Sequence, residues 1–190
     1  MDKLLIQNAR VYQNGQFVRA DVLCGDALIA KIGENLTDEE ARVIQADGLR
    51  LVPGFIDVHT HGAAGVDVNA ADEAGLRRIA AFFATQGVTA FNASVLTDTP
   101  ETTEKCLGAI ANVMSDRGMG AQLLGAHLEG PFLAKEYKGA MPEALLREGD
   151  ENLLRAYQNR FPRVIRYITV SPEVPGVVDM IGKISQDVTV

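Results

Sequence analysis

The sequence predicts an α/β protein opened by a small all-β segment. Up to about residue 50, short apolar alternations are separated by turn residues; from Leu51 onward, strand-like runs alternate with helix-like ones. A third observation concerns chemistry rather than fold. His59, His61, His127 and Glu129 all fall at the predicted carboxyl ends of strands, where parallel α/β folds build their sites.

Leu4 to Val11 reads as a strand, Asn14-Gly15 as a two-residue hairpin turn, and Phe17 to Cys24 as the returning strand. Gly25-Asp26 turns the chain into Ala27 to Ile32, and Val43 to Ala46 gives one more short strand before Asp47-Gly48. Residues 1–50 are therefore expected to form a small β domain of the sandwich type, and residues 51–190 a second domain. Leu51 to His61 is mostly apolar, the pattern of a parallel strand buried on both faces. A helix is predicted from Asp72 to Gln86, because Leu76, Ile79, Ala80 and Phe83 share one face, and Gly87 stands where a helix C-terminal glycine belongs.

Val88 to Leu96 is the next strand. Thr99-Pro100 supplies an N-cap and a first-turn proline for a helix running towards Ser115. Gln122 to Leu128 and Val164 to Val170 read as further strands, with helices over much of Glu143 to Asn159 and over Gly176 to Ser185. A fifth strand of this series starts near Asp187. The alternation implies βαβ units and a parallel sheet, which a closed barrel and an open doubly wound sheet satisfy equally. The residues after Pro53 cover about half of a closed barrel, which takes about 250.

Composition narrows the class. With 47% hydrophobic and 23% charged residues, the chain has the make-up of a globular protein rather than a disordered one. Its 25 acidic against 18 basic residues give a net charge of -7, and no Lys/Arg cluster offsets it, so no nucleic-acid partner is expected. The N-terminus shows neither a signal peptide nor an apolar run long enough for a bilayer, so no membrane partner is expected and a cytoplasmic location is. Cys24 and Cys106 stand in no metal-like spacing and read as reduced packing residues.

Side chains at i and i+2 on a strand share a face. His59-Thr60-His61 and His127-Leu128-Glu129 therefore each present two metal-competent groups together. Imidazole and carboxylate suit Zn²⁺, Fe²⁺, Co²⁺ or Mn²⁺. The competing reading is of strand-end histidines hydrogen-bonded for structure; two such pairs favour metal. Asp57 shares the face of His59 and His61 and is either an orienting partner for a ligand or a group satisfying backbone.

Pro53-Gly54-Phe55-Ile56-Asp57-Val58-His59-Thr60-His61-Gly62 resembles the first-strand signature of the amidohydrolase superfamily. His127-Leu128-Glu129-Gly130-Pro131-Phe132, followed by Lys138-Gly139-Ala140, is similar to the third-strand region of the N-acetylglucosamine-6-phosphate deacetylase family, and Val170-Ser171-Pro172-Glu173 to its fourth-strand segment. The resemblance runs through all 190 residues. It implies a partial (β/α)8 TIM-type barrel, of about four βα units plus a fifth strand, preceded by the small β domain.

The resemblance also implies function: metal-dependent hydrolysis of the N-acetyl group of N-acetylglucosamine 6-phosphate, with one or two divalent ions. Glu129 corresponds to the family's metal-binding glutamate, and His59 and His61 to a pair that holds a second metal where present. His127, Lys138, Gly139 and Ala140 match positions near the substrate. Lys138 is either a phosphate-attracting cation or a solvated loop residue. Met141 stands where the family usually has a sugar-holding histidine, and a thioether cannot donate a hydrogen bond as an imidazole does. The resemblance places two further histidine ligands and the catalytic aspartate beyond Val190, so this chain is expected to be the first half of a barrel with no catalytic acid/base of its own. It implies a homodimer for the complete protein. The alternatives are a different amidohydrolase, acting on a cyclic amide or another N-acetyl sugar, and an inactive half-barrel that binds metal or a partner.

Overall fold

The computed structural model describes residues 3–118 and 120–190, and the chain divides into two compact units, Met1–Pro53 and Gly54–Val190. In the first unit, β1 (Leu4–Gln13) and β2 (Gln16–Gly25) form an antiparallel hairpin. Asn14 and Gly15 turn it with φ of 48° and 83°, the paired positive φ of a tight turn matching strand twist. β3 (Leu28–Gly33) pairs antiparallel with β2, while β4 (Arg42–Gln45) and β5 (Arg50–Leu51) run parallel to β1. These five strands make one sheet; a sandwich needs a second sheet packed upon it.

A bulge between Ile6 and Ala9 is pinned from the neighbouring strand. The Asp21 carboxylate, 5% exposed, accepts the Asn8 N–H at 2.7 Å and the Leu36 N–H at 2.9 Å. A carboxylate can be buried there because two donors replace its water. Ala9, Val11, Ala20, Val22 and Ala46 form the small core of this unit.

The second unit is α/β with a four-stranded parallel sheet in the order β11-β10-β9-β6. β6 (Phe55–Thr60) is followed by a short hairpin of β7 (Gly62–Ala63) and β8 (Val66–Asp67), and then by α1 (Glu73–Thr85). The Asp72 side chain caps α1 by accepting the Gly75 N–H, and Leu76, Ile79, Ala80 and Phe83 are its buried face, as the spacing predicts. β9 (Val88–Leu96) leads to α2 (Pro100–Val113), capped by the Thr99 hydroxyl with Pro100 in its first turn. β10 (Gln122–Glu129) follows, and after a long connection come α3 (Glu151–Arg160), β11 (Ile165–Thr169) and α4 (Val177–Ile184). A bridge from Tyr167 to Thr189 runs parallel, at the start predicted for the next strand.

Three expectations need correction. The apolar run from Leu51 to His61 is not one strand: Leu51 belongs to β5 in the first unit, and β6 begins at Phe55. Pro53 lacks the N–H that a continuous ladder needs. Nor is this strand buried on both faces, since among the described residues β6 pairs only with β9. Phe55, Ile56 and Val58 are 63%, 62% and 55% exposed. The helix predicted over much of Glu143 to Asn159 is a single 3-10 turn at Glu143–Leu145 and then α3, which starts where Asp150 accepts the Asn152 and Leu153 N–H groups.

Phe91, Val95, Leu107, Ile110, Leu123 and Ile168 lie at the heart of the second unit's core. Cys106 is packed among them, and burial pushes its thiol up to about 11, so it stays protonated and inert at neutral pH. Both cysteines are free. Because β6, β9 and β10 run parallel, their carboxyl ends share one edge of the sheet, and that edge carries the candidate site.

A candidate metal centre at the strand ends

His59 lies near the end of β6, His61 one residue beyond it, and Glu129 closes β10. β6 and β10 are not adjacent; β9 lies between them, and the side chains converge across it. The Nε2 atoms of His59 and His61 are 3.1 Å apart. Glu129 Oε2 lies 3.5 Å from the first and 3.1 Å from the second. One ligand atom from each residue fits within a 4.8 Å span.

The donor set fits a divalent cation. Glu129 Oε2 is buried, and although both imidazoles approach it, neither is aligned to donate a hydrogen bond. An uncompensated buried carboxylate oxygen is costly. Facing two imidazole nitrogens, it is the arrangement that a cation neutralises and that hydrogen bonding leaves open.

The other predicted residues divide. The Asp57 carboxylate accepts the backbone N–H of His59 at 3.0 Å, so this contact fixes backbone rather than a ligand ring. His127 is fully buried, with Nδ1 2.9 Å from Ser94 Oγ and Nε2 2.9 Å from Thr169 Oγ1. Both ring nitrogens are engaged, and His127 is not part of the converging ligand cluster. Lys138 lies in the loop after β10, where its ammonium donates to the Met141 carbonyl at 2.9 Å and reaches the Gly139 carbonyl at 3.4 Å. Lys138, Gly139, Ala140 and Met141 nonetheless join His61 and Glu129 in lining one cleft of about 470 Å³.

Ser94, Tyr167 and Thr169 went unnoticed at the level of sequence. Ser94 carries the centre of the arrangement: its hydroxyl accepts the Thr60 N–H at 3.1 Å and meets His127, and its carbonyl faces His61 Nδ1 at 3.3 Å. Tyr167 stacks on His127 with centroids 4.0 Å apart and planes 5° apart, and its hydroxyl donates to the Val58 carbonyl. Burial, and then the charges of Asp57 and Glu129, raise the Tyr167 pKa, keeping the phenol a donor. The available signal was the i, i+2 pair Tyr167/Thr169 at a strand end, the same spacing as the histidines.

Burial first, then the neighbouring His59 and His61, lower the His127 pKa to about 4. The sign of the stability effect follows. Above the unfolded value of about 6.5 both states hold a neutral ring. Between about 6.5 and 4 the unfolded state takes up a proton that the metal-free folded state refuses, so stability falls with pH across that window. The expected loss is up to about 3 kcal/mol. Urea unfolding of metal-free protein at pH 7.5 and 4.5 measures it, and His127→Asn should flatten the difference.

No protein-family model matches the chain. A curated N-acetylglucosamine-6-phosphate deacetylase from Lysinibacillus sphaericus is 29% identical over 96% of this chain and 48% of its own length. The Homo sapiens protein of the same name is 37% identical over 90% of this chain and 44% of its own. The chain thus spans about half the length of the curated relatives it matches. The crystal structure of N-acetylglucosamine-6-phosphate deacetylase from Pasteurella multocida superposes with a TM-score of 0.86 at 22% identity, covering 97% of this chain and 48% of that one. No helix among the described residues is long and apolar enough to cross a membrane. By sequence and by fold, this chain is similar to proteins named N-acetylglucosamine-6-phosphate deacetylase, and it matches the N-terminal portion of those relatives.

Proposed function

We propose that the chain supplies the metal-binding strand ends of a deacetylase that releases acetate from N-acetylglucosamine 6-phosphate. The convergence of His59, His61 and Glu129 carries the reading, since homology of half a protein conveys a family while the ligand cluster conveys its chemistry. In this reading residues 1–50 are the small β domain, and residues 51–190 are four βα units and the opening of a fifth in a (β/α)8 barrel. The enzyme is cytoplasmic and acts as a homodimer.

His59, His61 and Glu129 would hold a divalent ion, which would supply Lewis-acid chemistry for the amide carbonyl and a more acidic water. Glu129 provides the anionic ligand, and His59 and His61 the neutral ones. Asp57 holds the backbone of His59, so the strand end presents its ring to the same point as Glu129. Beside them, the loop from Lys138 to Met141 walls the cleft that takes the sugar. The Lys138 ammonium holds that loop closed on the Met141 and Gly139 carbonyls while keeping one donor for a phosphate oxygen.

Acetate release from N-acetylglucosamine 6-phosphate by the metal-loaded, full-length protein tests the reading, with N-acetylgalactosamine 6-phosphate and a cyclic amide as competitors. Release from the phosphorylated glucosamine at a rate at least about tenfold above the competitors supports it; ring opening without acetate release overturns it.

A further inference from the structure

We propose that His127 is a positioning residue that holds the His59-Thr60-His61 segment in shape for metal, without being a ligand itself. The inference rests on the metal reading above and starts from how the end of β6 is held. The β6–β9 ladder is regular only in part: Asp57 pairs with Phe91 and Thr60 with Ala93, with an irregularity between them. Over the stretch that carries the ligands, side chains replace the ladder. The Val58 carbonyl accepts from the Tyr167 hydroxyl, the His59 N–H goes to Asp57, and the Thr60 N–H goes to Ser94 Oγ at 3.1 Å.

Two of those three attachments end on His127. Its Nδ1 lies 2.9 Å from the Ser94 hydroxyl that receives Thr60, and its ring lies flat on the Tyr167 ring that reaches Val58. A third contact is direct, edge to face against His59, with centroids 4.8 Å apart. Nε2 is anchored on Thr169 of β11 at 2.9 Å. One buried ring therefore joins β9, β10 and β11 to a strand end that, among the described residues, has a ladder on one side only. With both nitrogens in hydrogen bonds, the ring has no lone pair aimed at the ligand cluster, so its action passes through the backbone of residues 58–60 and the ring of His59. Outer partners of this kind set ligand orientation and change metal affinity by about 10–100-fold.

The test pairs two readouts on the full chain. His127→Phe keeps a flat ring on Tyr167 and removes both hydrogen bonds; His127→Gln retains a donor and an acceptor; Ser94→Ala cuts the link to Thr60 alone. Amide hydrogen exchange of metal-free protein reads the strand end: in His127→Phe the His59 and Thr60 amides should exchange at least about tenfold faster, with α1 and α2 unchanged. Co²⁺ titration followed by visible absorption reads the ligands: affinity should fall about 10–100-fold with an altered d–d spectrum, and His127→Gln should restore most of both. Unchanged exchange at His59 and Thr60 overturns the proposal, as does a Co²⁺ affinity in His127→Phe equal to wild type. Were His127→Phe unable to fold, Ser94→Ala must reproduce the Thr60 exchange increase for the proposal to stand. A wild-type chain that binds no Co²⁺ while the exchange result holds would sink the metal reading and leave the ordering role of His127 in place.

Discussion

Glu129→Gln is expected to weaken divalent-ion binding at least about a hundredfold while leaving the metal-free protein as stable as wild type or more so. The two halves of that result come from one atom. Glu129 Oε2 is buried among two imidazoles with no aligned donor, so the ion-free site holds a carboxylate whose desolvation is poorly compensated. An amide of the same shape removes that charge, relieving about 1–3 kcal/mol of desolvation, less whatever its own NH₂ leaves unmet.

Binding moves the other way. Four-ligand structural Zn²⁺ sites bind with about 10–16 kcal/mol, about 3 kcal/mol per ligand, and the sole anionic member of a three-residue cluster contributes at least its share. A loss of at least about a hundredfold follows. Isothermal titration with Zn²⁺ or Co²⁺ measures the first half, and thermal unfolding with chelator the second. Loss of binding accompanied by an equal loss of metal-free stability would mean that Glu129 is a structural residue and that the cluster is not a site.

How much of this could be read from residue order alone depends on the range of each interaction. His59 and His61 could be read as a pair because the period of a strand is local: two residues apart means the same face in any sheet. Glu129 could be read with them because Gln122–Glu129 is an apolar strand run ending in two polar groups. Caps and turns were equally local, which is why Asn14-Gly15, Thr99-Pro100 and Gly87 fall where the sequence places them.

What escaped depends on register. Ser94 is one of three polar residues in its strand, with Thr89 and Asn92, and only the pairing of Ser94 with His127 shows that it faces the site. Tyr167 and Thr169 share a face by the same i, i+2 rule, but nothing local says which face of β11 turns inward. Lys138 reads as a free cation because the carbonyl it meets, that of Met141, becomes available only when the loop curls back. The exposure of β6 was also out of reach, since a run such as Phe55-Ile56-Asp57-Val58 states an appetite for burial without saying which neighbours satisfy it.

Gly62→Ala is expected to cost about 3 kcal/mol of stability and to weaken metal binding as well, while Gly65→Ala, three residues along the same hairpin, costs about 1 kcal/mol and leaves binding intact. Both glycines have positive φ, +132° at Gly62 and +77° at Gly65, so both alanines bear backbone strain. They differ in what a Cβ would meet. At Gly65 nothing lies within 4 Å; at Gly62 the methyl would sit 2.0 Å from the Val66 carbonyl oxygen, a backbone atom of the paired strand that cannot rotate aside. Relief requires the β7–β8 hairpin to open or the chain at Gly62 to turn.

Either movement reaches the ligand next door. The His61 carbonyl accepts the Val68 N–H at 2.8 Å at the base of that hairpin, so displacing β8 pulls on His61. For a protein of this size the difference of about 2 kcal/mol corresponds to roughly 4–8 °C between the two variants' melting temperatures. Equal melting temperatures would show that the hairpin is soft enough to absorb a methyl group. A Gly62→Ala protein destabilised as expected but with wild-type Co²⁺ affinity would show instead that His61 is held by Ser94 and the His127 network, independently of the turn that follows it.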